Sequence, residues 1–130
     1  MNHTDEDAEL FDSFILIPYV IKNFERDMKI IENSPFKLKH PYTYLIDEAI
    51  LLARADLRDV KKKMHTKGLK MWHEPRNSDD MFTEFVYKCR GYEGRMRYMN
   101  ANIKKRVGEI MLSYLSQAKS NKIYDGKLKV

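Results

Sequence analysis

Cysteine is nearly missing from this 130-residue chain. A single Cys cannot form an internal disulfide or a cysteine-built zinc site, and it points to a reducing compartment. Glycine (5) and proline (4) are also scarce, whereas an all-β domain wants a turn signal about every ten residues, so helices are favoured. Long apolar runs are absent. The longest, residues 14–21, includes Pro18 and falls far short of the roughly 20 residues that cross a bilayer, so no membrane partner is expected. No basic, apolar leader opens the chain. Its first dozen residues carry Asp5, Glu6, Asp7, Glu9 and Asp12 instead, which predicts a cytoplasmic protein.

Catalytic signatures are missing too. The chain has no Gly-rich phosphate loop, no Gly-x-Ser-x-Gly elbow, no His-Glu-x-x-His and no Glu-x-x-His, so the reading is non-enzymatic, with no cofactor, metal or small-molecule substrate. His3, His40, His65 and His73 fall in the amino-terminal tail or at expected helix boundaries, where solvated or capping roles suffice. Cys89 has Lys88 and Arg90 beside it, which would lower a thiol pKa, but its apolar neighbours at helical spacing suit a small buried hydrophobe better.

What the chain does have is 43% apolar and 33% charged residues, enough to bury one core in one domain spanning 1–130. Helical periodicity appears four times. Leu10, Phe14, Ile17, Ile21, Phe24, Met28 and Ile31 alternate steps of four and three, predicting a long first helix kinked at Pro18 and stopped by Ser34 and Pro35. Ile46, Ile50, Ala53, Leu57, Val60 and Met64 form a second stripe that opens near Pro41 and ends at Gly68. Residues 69–76 read as an extended connector, in which a short strand would lack an obvious partner. Asn77 or Ser78 would then cap a third helix with Phe82, Phe85, Cys89, Tyr92, Met96 and Met99 on one stripe. A fourth, starting near Asn100 or Asn102, would bury Ile103, Val107, Ile110, Met111, Tyr114 and Leu115. The expected fold is all-α: a single-domain bundle of about four antiparallel helices, with an acidic tail over about 1–9 and a polar, basic tail over about 119–130.

Several local phrases carry a family resemblance. Ile17-Pro18, Glu25-Arg26-Asp27, Ile30-Ile31-Glu32, the run from Ser34 to Lys39 with Pro41-Tyr42, and Gly91-Tyr92-Glu93 resemble small Bacillus proteins of the YhjD type. The resemblance implies a small helical bacterial or phage protein. It brings no catalytic residues with it.

Charge and aromatic placement suggest two binding modes. All 24 basic residues fall after position 12 together with 14 acids, a balance of +10 over residues 13–130. One basic cluster spans 58–76 and includes Lys61, Lys62, Lys63, Lys67, Lys70 and Arg76 with Trp72; another spans 88–106 and includes Arg95, Arg97, Lys104, Lys105 and Arg106. Cations with an exposed Trp suit a nucleic-acid backbone and its bases, although a solvated helix end also accounts for Lys61 to Lys63. On a third helix, Tyr87, Gly91, Gly94 and Tyr98 would share a face opposite the core stripe, where two glycines permit close approach by another helix. The leading expectation is therefore a small interaction or regulatory protein that contacts a protein partner or a second copy of itself through that face. A nucleic-acid-binding module using the two basic clusters is the alternative.

Overall fold

Thr4 sets the start of the first helix. A computed structural model describes residues 4–119, and in it the Thr4 hydroxyl accepts from the Asp7 backbone N–H (3.1 Å) while the Asp7 carboxylate accepts from the Thr4 N–H (3.0 Å). This reciprocal cap begins α1 at Asp5–Glu32. Asp5, Glu6 and Asp7, expected in a tail, are thus its first turn, where the helix dipole favours acids. α1 continues without a break through Pro18, because buried Ile15, Leu16, Ile17 and Val20 hold the helix on both sides of the missing hydrogen bond. α2 (His40–Lys67) has proline in its first turn and ends at Gly68 with φ 70°, the left-handed cap its sequence predicts. α3 (Asn100–Lys119) is the expected final helix. The polar tail expected beyond Lys119 lies outside the described residues.

The all-α four-helix bundle does not form, because the segment expected as a third helix is a β-hairpin. Between α2 and α3 the chain makes β1 (Leu69–His73), one 3-10 turn (Pro75–Asn77), β2 (Phe82–Cys89) and β3 (Tyr92–Met99). The strands form an antiparallel sheet in the order β1-β2-β3, so the described residues make a mixed fold, with three helices against one sheet face. Two periodicities overlap in this segment. The apparent helical stripe combines core-side residues (Phe85, Cys89, Met96) with exposed Tyr92 at the turn and outward Phe82 and Met99, whereas strict alternation puts Phe85, Tyr87 and Cys89 on the core side and Glu84, Val86 and Lys88 opposite. The aromatic and β-branched run Phe82-Thr83, Phe85-Val86-Tyr87 favours the pleated surface. Arg90 (φ 51°) and Gly91 (φ 89°) close the hairpin in a two-residue turn with both φ values positive.

Once residues 82–89 are a strand, β1 gains the partner its sequence could not identify. Leu69 pairs with Cys89, Met71 with Tyr87 and His73 with Phe85, and these side chains face the helices. The core runs between the layers: Phe11 of α1, fully buried, meets the Tyr87 ring at 5.1 Å between centroids.

Without a third helix, Tyr87, Gly91, Gly94 and Tyr98 do not share an outward helical face. Tyr87 is buried and pairs with Gly94, where a Cβ would overlap the Tyr87 ring. Gly91 lies in the turn, and the Tyr98 hydroxyl donates to Asp12 of α1 at 2.6 Å.

Candidate functional site

The sheet face turned away from the helices is assembled by alternation. Each row across the strands carries one outward set: Lys70, Lys88 and Glu93; Trp72, Val86 and Arg95; Glu84 and Arg97; Phe82 and Met99. Two basic stretches far apart in sequence therefore meet on one surface. Lys70 and Lys88 are directly opposed on neighbouring strands, and among the described residues neither forms an ion pair. Like charges so placed repel, and Glu93, directly across from Lys88 on β3, is the one acid of that row.

The remaining groups stiffen this face. Glu84 is buried and accepts from Asn77 Nδ2 (2.7 Å) and Arg95 Nη1 (2.8 Å). The Asn77 hydrogen bond, with Arg95 and Arg97 nearby, holds the Glu84 carboxyl below its ordinary value against the opposing effect of burial. Arg97 lies over the Phe82 ring, with Cζ 4.4 Å from the centroid. Trp72 is 42% exposed, so part of its ring is open to solvent on the face that carries Arg95.

The other basic residues are distributed elsewhere. Lys61, Lys62 and Lys63 are exposed on the last turns of α2, and Lys67 pairs with Glu6 at 3.0 Å. Arg76 sits in the 3-10 turn after β1. Lys104 and Lys105 are exposed on the first turns of α3, while Arg106 donates to Asp12 at 3.2 Å. Arg106, Lys63, Asp56, Asp59 and Tyr114 line a cavity of about 320 Å³ between the helices, where Tyr114 donates to Asp56 at 2.7 Å. Burial first, and the bonds to Asp12 and Asp56 next, push the Tyr98 and Tyr114 hydroxyls up, so both stay protonated donors.

Residues 2–119 match the family described as YhjD protein. The chain belongs to the YhjD family. A relative carried as "Uncharacterized protein YhjD" from Bacillus subtilis (strain 168) is 35% identical over 114 residues, covering 88% of this chain and 93% of the relative. No solved structure matches the chain.

In this YhjD-family fold, of the predicted nucleic-acid residues, the outward sheet face collects Lys70, Trp72, Arg95 and Arg97. It also adds two residues the sequence reading left out of the candidate set, Lys88 and Phe82, which the period-two alternation through β2 would have found. Burial pushes the Cys89 thiol up despite Arg90 beside it, the opposite of an activated nucleophile. Among the described residues, no group of three His, Cys, Asp or Glu side chains is arranged to hold a metal ion, and no helix is long and apolar enough to cross a membrane.

Proposed function

We propose that this YhjD-family chain is a non-enzymatic binding protein whose outward sheet face holds single-stranded nucleic acid. The observation that carries the reading is the meeting of Lys70, Lys88, Arg95 and Arg97 around exposed Trp72 on one sheet face. Cations spaced along strands neutralise successive phosphates, and a Trp plane accepts any base, which gives affinity without sequence readout. A flat sheet face also suits unstacked bases better than a duplex groove, into which a helix or ribbon would have to project.

Trp72 is the only tryptophan, so its fluorescence reports the site directly. Titration with a 12-nucleotide single strand is expected to quench it, with affinity falling at a log–log salt slope of roughly −3 if four phosphates are neutralised. Trp72→Ala is expected to weaken binding about 5- to 150-fold, the equivalent of one stacked base, when followed by anisotropy of a labelled strand. Lys70→Glu with Lys88→Glu is expected to flatten the salt slope. Absence of binding at low salt, or an unchanged slope in the double variant, would overturn the reading.

A further inference from the structure

The free edge of β1 borders two open grooves. Arg90 N–H donates to Gly68 O and Glu74 N–H donates to Glu84 O, so even-numbered positions of this strand turn their backbone toward β2. The N–H and C=O groups of Leu69, Met71 and His73 consequently point away from the sheet, where no strand among the described residues lies beside β1. Between that edge and the helices lie grooves of about 410 and 470 Å³, both bordered by Phe14, Met71 and Trp72. Their floors are apolar, with Met64 in one and Ile15, Pro18 and Phe85 in the other. Lys61, His65 and Lys70 line the first and Lys22 the second, and no carboxylate lines either.

We propose that the β1 edge docks an acidic, extended peptide segment of another protein as a fourth strand. A row of outward backbone donors and acceptors is satisfied by another strand and cannot be satisfied in register by a nucleic-acid backbone. Five edge residues correspond to about 16 Å of added strand. Alternate side chains of that strand face the helices, so apolar ones at its centre enter the grooves on either side of Phe14 while acidic ones at its two ends, on the same face, meet Lys61 and Lys22. The preference for acid follows from the lining, which offers cations and no anion. Protein contact is thereby placed on a backbone edge, away from the residues first expected to provide it.

The probe is the acetylated, amidated heptapeptide Glu-Thr-Val-Thr-Val-Thr-Glu, whose glutamates and valines share one face of an extended strand. Trp72 fluorescence is expected to shift on titration, and amide exchange at Leu69, Met71 and His73 is expected to slow at least tenfold. N-methylation of the valines, which removes backbone donors, and replacement of glutamate by lysine are each expected to weaken binding at least tenfold. Lys22→Glu with Lys61→Glu is expected to reverse the charge preference while leaving single-strand nucleic-acid binding intact, so the two proposals fail separately. Equal binding by the N-methylated peptide, no fluorescence shift at millimolar peptide, or unaltered exchange overturns strand addition. A dimer by light scattering with the same three amides protected and no peptide present assigns the edge to a second copy and overturns it equally.

Discussion

Asp7 shows how far one residue can depart from its sequence setting. It stands among five acids in the first dozen residues, yet it is 1% exposed and accepts from Arg90 Nη2 at 2.8 Å, with the Cys89 thiol at 3.8 Å. Burial pushes its carboxyl up, but the Thr4 N–H, Arg90 and the Thr4 hydroxyl together pull it down to about 2. A folded-state value below the ordinary 3.8 means that the unfolded chain takes up the proton first. The contribution of Asp7 is therefore complete above pH 4 and is lost as pH falls toward 2. Urea unfolding of Asp7→Asn across that window is expected to show a shallower acid dependence than the parent chain, and an identical dependence would refute the assignment. The Thr4-x-x-Asp7 spacing marks Asp7 locally as a capping residue, but nothing local marks its burial or its pairing with Arg90, which lies 83 residues away.

At the scale of elements, the helices were legible and the hairpin was not. Pro41 and Gly68 bracket α2 with local chemistry that works in any context, and Asn100 opens α3 where the spacing places it. The hairpin turn, by contrast, is Arg90-Gly91, without the Asn or Asp that usually advertises two positive φ values, and its strands carry spacings of three and four by coincidence. Sheet register depends on cross-strand neighbours that local pattern does not reveal. The proposed binding face was legible only in part, since Lys70 and Arg95 could be named while their shared surface depended on that register. The same correction reverses what a substitution at Gly94 does. On a helix Gly94→Ala would stabilise; under the buried Tyr87 ring it is expected to cost about 1–3 kcal/mol through overpacking. Chemical denaturation in a Tyr87→Leu background is expected to remove most of that penalty, whereas equal penalties in both backgrounds would rule out the contact.

Across the whole molecule, the helical layer and the sheet share one core instead of forming two stacked units. Phe11 of α1 is fully buried against Tyr87 of β2, and buried Met71, Phe85 and Cys89 belong to the same cluster as Ile46, Ile50 and Val107. Phe11→Ala is expected to cost about 3–5 kcal/mol, as deletion of a buried aromatic ring does. Helical circular dichroism and Trp72 fluorescence are expected to lose their signals at one urea midpoint, in the parent and in the variant alike. Separate midpoints would mean that the layers unfold independently.

The long-range pairs at the start of α1 also have a temporal consequence. Asp7 meets Arg90 83 residues later, and Asp12 meets Tyr98 and Arg106 at separations of 86 and 94. At about 5–20 residues per second of synthesis, the first helix waits roughly 4 to 17 s for Arg90 to be made. Of the three helices described, α1 and α2 are complete in that interval and α3 is not, and Phe11 spends nearly all of it without the Tyr87 ring. The nascent chain thus passes through a stage in which an apolar helical pair stands ahead of its own sheet, and the ribosome's pace sets how long that surface stays uncovered.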